Sequence, residues 1–230
     1  MAEVERSLQV VVKEDWIAGL SPAVAEAVRG RMSLIDVPAG ETLTTAGHLA
    51  TRMFQLVEGY VRVNGVHRNG SASVISVYIP GNCLGEGPLI ARRRYNHTAV
   101  AWVDCRVSVL AARDFWELYH LYPQIPEALC RKFVGLISRQ IEVRDACAAH
   151  SLGQRIAMMF DNFVEHCSGP ERQDGIAIAF PFTQSDIAAL FDVSRQSVHR
   201  KISRMRTLGV IEKRAGVWVI ADRQKLRSLA

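Results

Sequence analysis

The strongest constraint on how this chain folds is a pair of short helices predicted between residues 183 and 209. Thr183 and Asp186 form a capping box, a pattern that starts a helix. Ser194 is a favourable N-cap for a second helix, and Gly209 is a residue type that commonly ends one. Only two residues separate the helices, so the turn between them is tight. The segment is therefore predicted to be a helix-turn-helix.

The predicted second helix has an apolar stripe and a separate polar face. The stripe consists of Val198, Ile202 and Met205, which repeat at helical spacing. The polar face carries Ser194, Arg195, Gln196, His199 and Arg200. In the DNA major groove, arginine bonds guanine and glutamine bonds adenine through pairs of hydrogen bonds. These five side chains are therefore predicted to contact double-stranded DNA.

The residues after this motif predict a charged β-hairpin. Apolar residues at 210–211 and 217–220 flank a polar stretch, a pattern typical of two strands and a turn. Between residues 194 and 214 there are seven Lys or Arg residues and one acidic residue, a charge pattern suited to phosphate. A helix-turn-helix followed by a hairpin is a winged helix. Lys213 and Arg214 in its wing are predicted to contact the DNA backbone.

Composition limits the classes of function that the chain can have. Part of the net charge of +5 is concentrated in residues 151–230, which have 12 basic and 8 acidic residues. No apolar run approaches the roughly 20 residues of a membrane span, and the N-terminus lacks a signal-peptide pattern, so we expect a cytoplasmic protein with no membrane partner. The scattered cysteines are interpreted as small buried residues, with a redox-sensing thiol as the alternative. Neither clustered metal ligands nor a catalytic motif occurs, which predicts no metal site and no enzyme activity.

Residues 31–111 have the pattern of many short strands. Glycines punctuate their apolar segments at close spacing, as expected for an antiparallel barrel or sandwich. Apolar and polar residues alternate with a period of two from Ala101 to Val109, which is typical of a strand. Turns are predicted at the dipeptides Asn64-Gly65, Asn69-Gly70 and Pro80-Gly81.

Residues 125–150 predict one long helix with two apolar stripes. A seam at heptad spacing consists of Leu129, Phe133, Leu136, Gln140, Val143 and Cys147, followed by His150. A second stripe beside it consists of Val134, Ile137 and Ile141. One stripe can face a partner helix and the other the helix's own barrel. We predict that the seam is a homodimer contact, because DNA readers commonly use a two-fold pair of half-sites. The alternative is a helix buried within its own domain.

Several segments carry a resemblance to a known family. They are residues 38–41 (PAGE), 57–63 (VEGYVRV), 80–86 (PGNCLGE), 154–157 (QRIA) and 193–200 (VSRQSVHR). Together with the order of barrel, long helix and winged helix, they make the chain from about residue 20 to residue 228 similar to one group of proteins. The chain resembles the cyclic-AMP receptor protein / fumarate-nitrate-reduction regulator (CRP/FNR) family of bacterial transcription regulators.

The resemblance implies an α+β fold with three parts. Residues 1–122 would form a cyclic-nucleotide-binding-like β-roll, which is a jelly-roll barrel, with flanking helices. Residues 123–151 would form the dimerisation helix, and residues 152–230 the winged helix-turn-helix. The implied function is a transcription regulator that binds a palindromic operator as a homodimer and has RNA polymerase as a further partner. The alternatives are a cyclic-nucleotide-binding module that acts on a protein partner, and a β-barrel metal-dependent enzyme.

The resemblance also implies an effector site in the β-roll. Gly85 and Glu86 match the ribose contact of cyclic-AMP-binding relatives, whereas the Arg-Ser pair that holds the phosphate is replaced, and the purine contact falls on Gln140. The candidate effector-binding residues are Gly85, Glu86, Arg94, Asn96, His97 and Gln140. The departures argue against cyclic AMP without excluding it, so another small anionic or apolar ligand, no ligand, and redox or metal sensing stay open beside it, and no cofactor is certain. The alternative for Gly85 and Glu86 is a structural turn with the carboxylate bonded to backbone.

One position of the predicted recognition helix departs from the family. The family usually presents an arginine, a glutamate and a second arginine there. Arg195 and Arg200 match, whereas Gln196 replaces the glutamate. Glutamate accepts a hydrogen bond from cytosine, whereas glutamine bonds adenine. We therefore predict a half-site that differs from the family's usual one at the base pair that Gln196 contacts.

Overall fold

The structure, a computed structural model, describes residues 11, 14–66, 72–172, 175–179 and 181–230. The chain divides into two compact units. The first consists of residues 12–138, and the second combines residues 1–11 with residues 139–230. Each unit has helices together with antiparallel strands, so the predicted α+β fold is confirmed. Within the described residues, every helix is too short or too polar to cross a lipid bilayer.

The unit at residues 12–138 holds two sheets and the helices that pack on them. Its elements are α1 (Pro22–Arg29), β1 (Ser33–Val37), β2 (Thr42–Thr44), β3 (Arg52–Glu58), β4 (Val61–Val66), β5 (Ala72–Tyr78), β6 (Cys83–Leu84), α2 (Glu86–Ile90), β7 (Thr98–Ala101), β8 (Cys105–Ala111) and α3 (Ala112–Leu121). A long helix, α4 (Gln124–Ala149), begins in this unit and runs past its end.

The two sheets pack against each other around one apolar core. Their strand orders are β1-β8-β3-β6 and β2-β7-β4-β5, and all the pairings are antiparallel. Phe54 and Leu56 of β3 lie in the same buried cluster as Val61 and Val63 of β4, so both sheets contribute to it. This arrangement is the predicted β-roll.

A second core joins the helices to the roll. Phe115 of α3 and Ile125 of α4 are each 1% exposed and lie in one cluster with Met53 of β3. Leu129, one turn further along α4, belongs to the same cluster. The first turns of α4 are therefore fixed to their own roll.

The second unit is a small mixed domain. Its elements are α5 (Leu152–Cys167), β9 (Ser168–Arg172), β10 (Gly175–Ile178), α6 (Gln184–Phe191), α7 (Arg195–Thr207), β11 (Ile211–Arg214), β12 (Val217–Ile220) and α8 (Arg223–Ser228). The sheet has the order β11-β12-β10-β9. Phe160, Phe163, Phe182 and Trp218 form an aromatic core, in which the Trp218 Nε1 donates a hydrogen bond of 2.9 Å to the Phe182 carbonyl.

Val11 is bound to this second unit by two hydrogen bonds. Asn162 of α5 accepts a 2.8 Å hydrogen bond from the Val11 backbone N–H and donates a 3.2 Å bond to the Val11 carbonyl. Both residues are fully buried. A side-chain amide that bonds both backbone groups of one residue acts like a neighbouring strand, so the backbone N–H and C=O of Val11 both have a partner in Asn162.

Two of the predicted turns can be compared with the structure. Pro80-Gly81 is a turn, as predicted, and Gly81 has a φ of +98°. The prediction for Asn64-Gly65 is wrong, because both residues lie within β4, which pairs with β5 on one side and β7 on the other. A register shift between Val63 and Asn64 absorbs the poor strand formers inside the ladder. Asn69-Gly70 lies outside the described residues.

The alternating segment from Ala101 to Val109 is not one strand. β7 ends at Ala101, a bend follows, and β8 begins at Cys105. Alternation also fails within β8, where Val109 packs on the roll core and Leu110 on the helix-covered core. Both faces of that end of β8 are covered, so a strict period of two is not required there.

The long helix predicted at residues 125–150 is confirmed as α4. The compact units divide inside it, between Ser138 and Arg139. The bounds of the three predicted parts, residues 1–122, 123–151 and 152–230, stay a prediction.

Candidate functional site

The helix-turn-helix is built by the local signals that the sequence predicts. The Thr183 hydroxyl accepts a 3.2 Å hydrogen bond from the Asp186 N–H, and the Asp186 carboxylate accepts a 2.7 Å bond from the Thr183 N–H. Asp192 ends α6 in the left-handed region with a φ of +51°. Ser194 then caps α7, its hydroxyl accepting a 3.2 Å bond from the Ser197 N–H. The capping box and the second cap are both confirmed.

The two faces of α7 differ in burial as the sequence predicts. Val198 and Ile202 are fully buried, and Met205 is 4% exposed. The predicted DNA contacts are all exposed, namely Ser194, Arg195, Gln196, His199, Arg200, Lys213 and Arg214. Burial of one stripe fixes the rotation of the helix, so the opposite face is presented to solvent as a rigid surface.

Some side chains of the exposed face are hydrogen-bonded to other described residues, and others are not. The Nδ1 of His199 lies 3.2 Å from the Gln184 Oε1, which can accept a hydrogen bond from a protonated Nδ1, and Nε2 lies 3.5 Å from the Ser203 hydroxyl. Arg195 and Gln196 make no hydrogen bond or ion pair with any described residue. Gln184 was missed by sequence reasoning, and its place at the first position of α6 gave no signal of this contact.

The wing turns sharply and holds one of its two cations on an aromatic ring. Ala215 and Gly216 have φ values of +46° and +85°, which form the turn between β11 and β12. The Lys213 Nζ lies 5.1 Å from the ring centroid of the buried Trp218. The Arg214 Nε donates a 2.7 Å hydrogen bond to the Glu212 carboxylate. The position of the Lys213 side chain is therefore restricted, because its ammonium lies over the packed ring of Trp218.

The roll contains a cavity of about 290 Å³. Gly85, Glu86, Asn96 and His97 line it, so four of the predicted effector residues meet at one place. The structure puts the other two elsewhere. Arg94 donates a 2.8 Å hydrogen bond to the Gly47 carbonyl and does not line the cavity. Gln140 is exposed on α4 and is not a lining residue either.

Glu86 is already occupied by a partner within the chain. Its carboxylate and the Lys132 ammonium form a hydrogen-bonded ion pair, with side-chain exposures of 2% and 5%. Lys132 also donates a 2.7 Å bond to the Cys83 carbonyl. Burial, the largest single influence, would lower the pKa of Lys132, but the Glu86 charge, its hydrogen bond and smaller contributions from Cys83 and Tyr78 together outweigh burial and raise the pKa. The predicted alternative of a backbone-bonded carboxylate is thus replaced by an ion pair.

Lys132 is a residue that sequence reasoning missed. Its only signal was its position on α4, one residue before Phe133 and three after Leu129, on the side that faces the roll. Gly85 matters here as well, because it has a φ of +99° and a Cβ would lie 2.9 Å from the Arg52 carbonyl oxygen. A glycine therefore lets the backbone before Glu86 approach β3 closely.

The remaining candidates for a metal or thiolate site are histidine and cysteine side chains. Partial burial lowers the pKa of His97, so its ring is neutral at pH 7. Cys83, Cys105 and Cys167 are buried as predicted, and burial raises the pKa of Cys167 to about 12. Cys130 is exposed, contrary to the interpretation of the cysteines as buried. The described residues hold no cluster of His, Cys, Asp or Glu side chains suited to a metal ion.

The predicted dimer seam on α4 requires a correction. Leu129 is 1% exposed within its own core, Phe133 packs against that core, and Leu136 lines the cavity. Leu129 is therefore used inside its own unit, whereas Phe133 and Leu136 are half-buried, and their part in a dimer contact stays a prediction. Gln140 is exposed and Val143 half-buried, while the side chain of Cys147 lies outside what the structure describes.

The second stripe of α4 is the exposed one. Val134, Ile137 and Ile141 are 63%, 62% and 48% exposed, respectively. They follow each other at spacings of three and four residues, which places them on one side of the helix. We call them the α4 stripe.

Comparison with known proteins agrees with this architecture. Residues 34–122 match the cyclic nucleotide-binding domain family, and residues 154–229 match the Crp-like helix-turn-helix domain family. The chain is 21% identical to the cyclic AMP receptor protein of Thermus thermophilus, covering 92% of this chain and 94% of that protein. It is 19% identical to the CRP-like cAMP-activated global transcriptional regulator of Mycobacterium tuberculosis, covering 95% and 97%.

A solved structure supports the fold independently. The c-di-GMP responsive global regulator CLP of Xanthomonas campestris superposes with a TM-score of 0.72 at 16% identity, covering 88% of this chain and all of that one. One family model thus matches within each of the two units, and the family is one of transcription regulators and not of enzymes. The chain belongs to the CRP/FNR family of transcription regulators, with a cyclic nucleotide-binding domain followed by a Crp-like helix-turn-helix domain.

Proposed function

We propose that the protein binds a palindromic operator as a homodimer and reads its bases with α7. The observation that carries this proposal is the exposed face of α7, on which Arg195 and Gln196 have no partner among the described residues. Arg195 and Arg200 have the chemistry to bond guanine, and Gln196 to bond adenine. Lys213 and Arg214 in the wing would contact phosphate and fix the register of the helix on DNA.

The dimer is supported by the α4 stripe. Three aliphatic side chains in a row on one helix are costly to leave in water, and a second copy of the same helix would cover them. A two-fold dimer then presents its recognition helices about 34–36 Å apart, one turn of B-DNA. We infer that RNA polymerase is the further partner and the cytoplasm the location, because the chain belongs to a family of transcription regulators.

The cavity supports control by a small-molecule effector. Lys132, Phe133 and Leu136 of α4 line it, so a bound ligand would touch the helix that carries the α4 stripe. A ligand that binds one arrangement of this helix better would shift the population toward it. Two similar proteins carry cyclic AMP in their names, and another is named as responsive to c-di-GMP.

Selection from a random DNA pool tests the proposal. The full chain should enrich a two-fold symmetric consensus, alone or after addition of cyclic AMP or cell extract. Gln196→Glu should change the preferred base at one position of each half-site, from adenine toward cytosine. Gln224→Glu, an exposed position on α8, is the matched control and should leave the consensus unchanged.

Two results would count against the proposal. Absence of enrichment under all three conditions would contradict DNA reading by α7. A consensus that Gln196→Glu leaves unaltered would contradict the role given to Gln196.

A further inference from the structure

We propose that the roll cavity takes a small uncharged ligand with a mostly apolar body, because its one buried cation and one buried anion neutralise each other. This inference rests on the proposed effector control and names the ligand class. It excludes anions that need a cation inside the cavity, such as cyclic nucleotides.

The two charged side chains that line the cavity neutralise each other in an ion pair. Glu86 and Lys132 are the only acidic and basic side chains among the described lining residues, apart from His97, and they form an ion pair with each other. Partial burial keeps His97 neutral at pH 7. The three arginines that precede Tyr95 in sequence, Arg92 to Arg94, do not line the cavity.

Either sign of ligand charge would break the pair at a cost. An anion would need Lys132, and would leave the Glu86 carboxylate buried without a partner. A cation would need Glu86 and would strand Lys132 in the same way. Removing one partner of a buried pair is strongly unfavourable, whereas a neutral ligand leaves the pair intact.

A backbone carbonyl also helps to hold the Glu86–Lys132 pair in place. Lys132 donates to the Cys83 carbonyl as well as to Glu86, so β6 and α2 both fix its ammonium. An anionic ligand that displaced Glu86 would therefore have to compete for an ammonium that two acceptors, the Cys83 carbonyl and the Glu86 carboxylate, already hold in place. This arrangement favours ligands that do not attempt the exchange.

The rest of the lining suits an apolar body with one polar edge. Val63, Leu84, Ala99, Phe133 and Leu136 supply apolar surface. Asn96 and His97 are exposed lining residues and supply hydrogen-bonding groups on the solvent side. At about 290 Å³ the cavity is small, since pockets for drug-sized ligands measure roughly 300–1,000 Å³.

Probe binding to the full chain tests the ligand class. N-phenyl-1-naphthylamine is neutral and apolar, and 8-anilinonaphthalene-1-sulfonate is an anion of similar shape; both fluoresce when they enter an apolar site. The neutral probe should bind more tightly, and cyclic AMP should not displace it. Leu136→Trp occupies part of the cavity with a larger side chain and should weaken the neutral probe by at least about tenfold. Leu121→Trp, at an exposed position of α3, should leave its affinity unchanged.

A second variant tests the charge argument directly. Glu86→Gln frees the Lys132 ammonium, so the anionic probe should gain affinity while the neutral probe loses none. The double variant Glu86→Gln with Lys132→Met removes both charges and should bind the neutral probe but not the anion. This double variant keeps the test valid if Glu86→Gln alone fails to fold.

The outcomes separate this inference from the proposed function. Tight binding of cyclic AMP to the unaltered chain would overturn the ligand class and leave effector-controlled DNA binding in place. Equal loss of the neutral probe in Leu136→Trp and Leu121→Trp would place the probe elsewhere and overturn the inference. Failure of the DNA selection alone would overturn the proposed function, whichever probe binds.

Discussion

Backbone conformation at single glycines makes a testable difference to stability. Gly59 has a φ of +94°, and a Cβ there would lie 2.6 Å from the Cys105 Sγ and 2.7 Å from the Asp104 carbonyl oxygen. Gly40 has a similar φ of +86° but open space around it. Gly40→Ala should therefore lower the free energy of unfolding by about 1–2 kcal/mol, from the left-handed backbone alone. Gly59→Ala adds overpacking of roughly 1–3 kcal/mol.

Denaturant unfolding of the two variants, followed by circular dichroism, checks this difference. Equal losses in Gly40→Ala and Gly59→Ala would mean that the loop at Gly59 moves away from Cys105 at no cost. A larger loss in Gly59→Ala supports the close approach of the two chain segments.

At the residue scale, the sequence predicts which residues belong to a site better than it predicts which residues bond each other. Glu86 was selected as a ribose contact from its match to a motif, but its partner Lys132 lies 46 residues away. Nothing local to either residue indicates the other, because the contact exists only once α4 has packed on the roll. The same holds for Gln184 and His199, which meet only after α6 and α7 have docked.

At the scale of elements, the α4 stripe gives a prediction about assembly. Ile137→Glu would place two carboxylates in the proposed interface, one from each copy, where they are buried without partners. The variant should be a monomer by sedimentation at concentrations at which the unaltered chain is a dimer. Leu121→Glu, an equally exposed leucine at 63% on α3, should not change the mass. A dimer that survives Ile137→Glu would exclude this stripe as the interface.

The elements also differ in how far the sequence could predict them. The helix-turn-helix was predicted in detail because its signals are local, namely two caps, a short turn and a terminal glycine. The buried face of α4 was not, because two stripes at the same spacing run side by side. Which one meets the roll depends on where β6 and α2 place their side chains. Asn64-Gly65 was misjudged for the same reason, since pairing on both sides of β4 overrides a turn signal.

At the scale of the whole molecule, charge distribution predicts how DNA binding responds to salt. The basic residues of α7 and the wing release counterions when they meet phosphate, so affinity should fall steeply with rising salt. Lys213→Ala should reduce the slope of log affinity against log salt by about one, with little change in base preference. Arg113→Ala removes one positive charge from α3, where the side chain is 87% exposed, and should leave the slope unchanged.

Fluorescence-anisotropy titrations over a range of potassium chloride concentrations provide the measurement. An unchanged slope in Lys213→Ala would remove the wing from the interface. Equal changes in Lys213→Ala and Arg113→Ala would instead indicate a response to net charge alone.

The grip of Asn162 on Val11 bears on how the chain is made. The two residues are 151 positions apart, so on the ribosome Val11 emerges long before its partner exists. At about 5–20 residues per second, the delay is roughly 8–30 s. Residues 12–138 can complete their own unit during that interval, whereas the unit containing Val11 has to await the synthesis of residues 139–230. The unit of residues 12–138 can thus fold while Val11 still lacks its partner, and the hydrogen bonds between Val11 and Asn162 form only after residue 162 has been synthesised.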